Sequence, residues 1–375
     1  METSDSETAG SFDLKEGTPR ISLREFATIA VICLVTGILI HIPKLTGFDP
    51  FASGFYTGNT GLIAFSGLIA YSVVSGVKPG KRWMWFLAAV FVVSALFINL
   101  IPADLNDQPY ILACIHLPLL MWCVYGITFT GFDIRSIGKR VAFIRHNGDM
   151  AILGALIVLS GMLFAGFTIG LFESIEVSTE KFFTQYIAPW GVVAAPAVTA
   201  FIIRHFPRLT GKIAPIIATL FSPLVLFTLI IYLLAVIFTG KDPYSDRDFL
   251  IMFNMMLLAV MVIIVFSISE SPEATKRRFS ELVLLALSVV TLIVDLVALS
   301  AIFYRLGEFG ITPNRVAVLG SNLLVLGNLI LITIDLFRVS FRNAPLGQVN
   351  LTTARYLPWY MLWTIFVTFG FPLIF

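Results

Sequence analysis

Four polar side chains stand deep inside apolar runs of this chain. They are His116 in PYILACIHLPLLMWCVYG, Asn254 in FLIMFNMMLLAV, Asp295 in LSVVTLIVDLVALSAI and Asn322 in VAVLGSNLLVLGN. Such groups are costly in hydrocarbon, so each must meet a partner or a wet cavity. The carboxyl of Asp295 can carry a proton or hold a cation, His116 can exchange a proton, and the amides donate and accept without changing charge. Ser288, Thr291 and Asp295 are spaced to share one helical face. Asn314, Ser321, Asn328 and Asp335 repeat every seven residues, and Gly320 and Gly327 beside them permit close helix approach. The two stripes predict a polar seam between consecutive helices, with Asp335 paired to Arg338. Interhelical hydrogen bonding accounts for the Asn and Ser residues without a ligand. It accounts poorly for a carboxyl at the depth of Asp295.

The link between these stripes reads Tyr304-Arg305-Leu306-Gly307-Glu308-Phe309-Gly310-Ile311-Thr312-Pro313-Asn314-Arg315. Thr312 suits a helix N-cap and Pro313 the first helical position, which needs no ligand. The charged residues need more explanation. Either Glu308 neutralises an arginine in a clamp, or Arg305 and Arg315 receive an anionic group such as phosphate or carboxylate. The pattern R-x-x-E-x-G-x-T-x-N-R between two apolar helices resembles a bacterial multi-pass membrane family catalogued as domain of unknown function 4153. Arg305, Gly310, Thr312, Asn314 and Arg315 are the matching positions, and the resemblance covers about residues 281–337. It implies a bacterial inner-membrane protein and supplies no activity.

Enzyme motifs are mostly missing. H-E-x-x-H, G-x-S-x-G, Walker A and G-x-G-x-x-G do not occur. Cys33, Cys114 and Cys123 lie in apolar runs, with neither metal-ligand spacing nor a disulfide framework. No cofactor signature is legible, and no basic patch with interleaved aromatics points to nucleic acid. Asp49 and the pair Asp246 and Asp248 are the remaining acidic candidates. Carboxylates in such loops could hold a divalent cation for glycosyltransferase-like chemistry, although a solvated loop explains them more simply.

These residues need elements to carry them, and composition says which. Of the 375 residues 58% are hydrophobic and 13% charged, with a mean hydropathy of +0.91. A soluble domain would carry about 25% charged residues. A bilayer core takes roughly 20 apolar residues per helix. Runs at 26–43, 57–77, 83–102, 110–131, 149–171, 187–203, 213–239, 249–270, 281–304, 315–337 and 358–375 therefore predict eleven spans. Long apolar runs exclude the alternating pattern of a β-barrel. The fold class is all-α, a polytopic transmembrane helix bundle, with one domain over 26–375 and a polar, disordered cytoplasmic tail over 1–25.

Charge placement orients the bundle. With a cytoplasmic N-terminus and alternating sides, the inward segments hold Lys15, Arg20 and Arg24; Lys78, Lys81 and Arg82; and Arg135, Lys139, Arg140 and Arg145. They also hold Arg204, Arg208 and Lys212; Lys276, Arg277 and Arg278; and Arg338, Arg342 and Arg355. Short loops obey this positive-inside sorting, which leaves the C-terminus extracytoplasmic. His116 and Asn254 then lie roughly 9 Å, Asn322 roughly 10 Å and Asp295 roughly 13 Å beneath the outer ends of their spans. The expectation is a polar pocket open to the extracytoplasmic side, with Arg305 and Arg315 at its mouth.

Other features bear on packing. Gly154, Gly161, Gly166 and Gly170 in the fifth span predict close packing inside the bundle, with a dimer interface as the alternative. Pro196, Pro215 and Pro223 predict kinks. Residues 172–186 suit an interfacial amphipathic helix. Trp83, Trp85, Trp190, Trp359 and Trp363 near span ends predict interfacial anchors.

Three functions fit this reading. The favoured one is a transporter or a permease for a lipid or small molecule, its substrate site drawn from His116, Asn254, Asp295, Arg305, Glu308, Arg315, Asn322 and Asn328. The second is a membrane enzyme acting on a lipid-linked substrate. The third is a non-catalytic subunit of an envelope assembly, joined to a partner membrane protein or to a second copy. The partners implied are the lipid bilayer and an anionic or lipid-linked ligand.

Overall fold

A computed structural model describes residues 21–50, 54–76, 78–102, 104, 106–173, 178–206, 222–231, 233–234, 238, 247–269 and 278–375. Among them the regular structure is helical, as hydrocarbon demands, because a helix satisfies its own backbone polar groups. The helices are α1 (Leu23–Leu45), α2 (Phe55–Ser75), α3 (Lys81–Leu100), α4 (Gln108–Phe129), α5 (Ile137–Glu173) and α6 (Glu180–His205). They continue with α7 (Ser222–Ile231), α8 (Arg247–Ser269), α9 (Arg278–Phe309), α10 (Pro313–Arg342) and α11 (Gly347–Ile374). Nine helices among the described residues are long and apolar enough to cross a membrane. The tail at 1–20 and most of the predicted span 213–239 lie outside the described residues, as do Pro215 and Asp246.

Local signals explain the helix ends. Ser22 accepts from the Glu25 backbone N–H, and the Glu25 carboxylate accepts from Ser22 N–H at 3.1 Å, a reciprocal cap that starts α1. Asn343 takes a left-handed conformation, φ 53°, to end α10. Helices outrun the apolar runs that reveal them. Residues 137–148 of the predicted connection 132–148 already belong to α5, and α10 and α11 take up most of 338–357. Lys, Arg and Gln are good helix formers, so the helix continues where hydropathy stops. Residues 180–186, expected at the interface, are the start of α6 and include part of a π-helical turn at Phe183–Ile187.

Two apolar cores hold the bundle. Ile29, Leu68, Leu117, Met121, Tyr125 and Phe201 belong to the core of α1 to α6. Leu229, Leu257, Ile264, Leu287, Leu329 and Leu336 belong to that of α7 to α11. A smaller cluster of Leu112, Ala317, Val367 and Phe371 ties α4 to α10 and α11. Outside these cores, large apolar side chains such as Leu163, Phe164 and Trp85 are exposed, the surface that a lipid solvent covers.

Close crossings depend on small residues against large ones. A Cβ on Gly61 would lie 2.3 Å from the Pro118 ring, and one on Gly37 would lie 2.4 Å from the Trp190 indole. Trp190 donates to the Cys33 carbonyl at 2.7 Å, so it serves helix packing besides any anchoring role. The glycines of α5 behave differently from expectation. Gly154 faces Thr199 of α6, but a Cβ on Gly161 or Gly166 would meet nothing within 4 Å among the described residues.

Candidate functional site at Asp295

The site is built on the α9–α10 hairpin. Gly310 takes φ +76°, and Thr312 caps α10 by accepting from Arg315 N–H. Both helices leave this link in opposite chain directions, so residues equally far from it lie at one depth. Asp295 is fourteen residues before Phe309, and Asn328 is fifteen after Pro313. At 1.5 Å per residue both sit roughly 21 Å from the link, near the middle of a bilayer core.

Asp295 is 0% exposed, and neither carboxyl oxygen has a hydrogen-bond partner among the described residues. Leu287, Val294, Ala298, Leu329 and Ile332 form the apolar core of these helices. One neighbouring element breaks this apolar setting. Asn328 donates through Nδ2 to the Tyr360 hydroxyl of α11 at 3.0 Å, while its own Oδ1 is buried and unpartnered among the described residues. Tyr360 lies within electrostatic reach of Asp295. A carboxyl, an amide and a phenol from three helices thus occupy one level. Tyr360 escaped the sequence reading, although Tyr356 and Tyr360, four apart in an apolar run, place two hydroxyls on one helical face.

The predicted seam has a different partner. The heptad stripe of α10 bonds to α11 instead of α9. Trp363 donates to Ser321 at 3.1 Å, Asn328 to Tyr360, and Thr352 to Asp335, which also pairs with Arg338 at 3.3 Å. Ser288 and Thr291 of α9 donate to their own helix carbonyls, Leu285 and Leu287. The glycines decide the neighbour. A Cβ on Gly320 would lie 2.0 Å from the Trp363 ring, and one on Gly327 would lie 2.5 Å from the Tyr356 hydroxyl.

The other predicted residues divide into separate groups. Asn322 donates to Asn254 of α8 at 2.8 Å, about six residues nearer the link than Asn328 and on another face of α10. His116 is buried, with Nδ1 2.9 Å from the Leu112 carbonyl of its own helix. Arg315 donates to the Phe309 and Gly310 carbonyls at 2.7 Å and lies over the Phe309 ring, so it caps α9. Glu308 is exposed and forms no ion pair among the described residues, and the clamp uses backbone carbonyls in its place. Arg305 is half-buried, with one Nη1 enclosed and unpartnered among the described residues. A cavity of about 470 Å³ near the same end is lined by Ile101, Pro102, Asp104, Asn106, Asp107, Tyr110 and Pro372, with none of the predicted residues. Two part-buried pairs were not foreseen: Asn59 with Asn99, bonded in both directions at 2.9 Å, and Tyr125 with His146 at 2.7 Å.

No protein family, curated protein or solved structure matches the chain. The helices define a multi-pass integral membrane protein. Among the described residues, no three His, Cys, Asp or Glu side chains gather as a metal site would require.

Proposed function

We propose that this chain is a transporter or permease for a small anionic or lipid-like molecule, and that its working cycle depends on Asp295. The observation that carries the reading is the fully buried carboxyl with no partner among the described residues. A charged residue at the bilayer centre costs about 2.5–3.5 kcal/mol on insertion scales. A bundle that only had to pack gains nothing from it. The group makes sense if another state of the protein supplies water, an ion or a substrate. Its position supports this, since α9, α10 and α11 would all feel a change in its partners.

The finer topology belongs to the same proposal: eleven spans, an N-terminus in the cytoplasm, a C-terminus outside and a bacterial inner membrane as host. The sorting of Lys and Arg supports the orientation. The resemblance of Arg305–Arg315 to the multi-pass family supports the host membrane. In this frame the Gly310 link faces outward, and Arg305 is the cation left to meet an anionic group.

Proteoliposomes provide the test, with inorganic phosphate and a fluorescent phosphatidylglycerol as probes. Wild-type protein should move one of them at least tenfold faster than empty liposomes, and Asp295→Asn should remove most of that gain. Flux of neither probe, or equal flux in both proteins, would contradict the proposal.

A further inference from the structure

We propose that Asp295 is a proton-binding site, occupied as the neutral acid in this conformation, and that Asn328 and Tyr360 form the hydrogen-bonding set that serves its two protonation states. The proposal deepens the transport reading and rests on it for its biological use. It makes the coupling ion a proton in preference to a metal cation.

Countercharge is the first consideration. From Phe249 to Ser269 α8 has no titratable side chain. Between Glu281 and Arg305, α9 has Asp295 and Tyr304; between Arg315 and Asp335, α10 has none; beyond Arg355, α11 has Tyr356 and Tyr360. Among the described residues, the basic groups that bound these apolar stretches are engaged, exposed or distant. Arg338 pairs with Asp335, Arg315 caps α9, Arg355 is exposed, and Arg305 stands roughly 15 Å along the helix from Asp295. Burying a carboxylate with no cation is far more costly than burying a neutral acid.

Ligand count is the second. Hard cations take about six or more oxygens. This level supplies two from Asp295, one from Asn328 Oδ1 and the Tyr360 hydroxyl, which already accepts from Asn328. α9 holds neither Pro nor Gly between Arg278 and Leu306, and the Ala354 carbonyl that Pro358 leaves without a helical donor in α11 already accepts from Arg140 at 3.3 Å. A proton needs no such cage.

The third is complementarity of unused groups. Asn328 Oδ1 is an acceptor without a donor among the described residues, matched to the O–H of a neutral acid. Tyr360 accepts from Asn328 and keeps its own O–H to give, matched to a carboxylate. On release the Asp295 O–H bond breaks, its electron pair stays on the carboxylate oxygen, and the proton passes to water. Binding reverses the step.

Infrared spectroscopy of the full chain in lipid nanodiscs, in sodium, potassium or calcium buffers, is the test. A carboxylic-acid C=O band should be present at neutral pH in all three, vanish in Asp295→Asn, and fade on alkalinisation at a pH that Tyr360→Phe changes. Asp295→Asn copies the neutral acid in shape, so it should fold and melt no lower than wild type at neutral pH. Absence of the band, a band that appears only when one cation is withdrawn, or an Asp295→Asn protein that cannot fold would overturn the proposal. A band that behaves as described beside flux unchanged in Asp295→Asn would retain the proton site and reject the transport reading. Flux lost without any such band would do the opposite.

Discussion

Arg305 and Arg315 look equivalent in the chain, one at each end of a short link, yet they meet different surroundings. Arg315 spends its guanidinium on the Phe309 and Gly310 carbonyls, whereas Arg305 keeps an enclosed nitrogen without a partner among the described residues. Arg315→Gln should therefore lower the thermal midpoint of the purified protein, while Arg305→Gln should leave it nearly unchanged. The reverse order would contradict this division. Asn254 and Asn322 allow a second residue-scale test. Their coupling in a double-mutant cycle with Ala should be about 0.6 kcal/mol and no more than about 1.7, the range measured for hydrogen bonds between membrane helices. Zero coupling would remove the bond. Polar residues were legible as residues that need partners, because hydrocarbon makes every one of them conspicuous. Which partner each finds was not legible: His116 turns to Leu112 of its own helix, a choice of rotamer that spacing does not reveal.

At the scale of elements, the α9–α10 hairpin was readable from Thr312-Pro313 and from the two apolar runs beside it. The neighbour of the α10 stripe was not. A seven-residue repeat specifies a face, but Gly320 and Gly327 open that face to the bulky Trp363 and Tyr356 of α11. Gly320→Ala should cost about 1–3 kcal/mol, the usual price of overpacking. Gly161→Ala on α5 meets nothing within 4 Å among the described residues and should stay within about 0.5 kcal/mol of wild type. Equal losses in a thermal or denaturant assay would show that one of these faces is wrongly assigned. The helix ends were the least legible part, because charged residues that end an apolar run also propagate a helix, as at Ile137 and Gly347.

Among the described residues two apolar cores meet where α4 packs on α10 and α11 and where α5 packs on α8 and α11, so a movement between the halves would disturb both contacts, the first through Leu112, Ala317, Val367 and Phe371. Composition alone announced the membrane and the helical class, since 58% hydrophobic residues leave no other solvent for them. The bond of Asn328 to Tyr360 at the level of Asp295 could not be read at that scale, because it depends on how helices rotate against one another. The central claim is that the sealed carboxyl meets water in another state of the protein. The direct measurement is thiol labelling of Asp295→Cys in a chain whose Cys33, Cys114 and Cys123 have been replaced, with Val294→Cys, equally buried, as the control. A water-soluble reagent should modify position 295 slowly and leave position 294 untouched. Two positions that are equally inert would contradict the account and leave Asp295 a group shut permanently inside a static bundle.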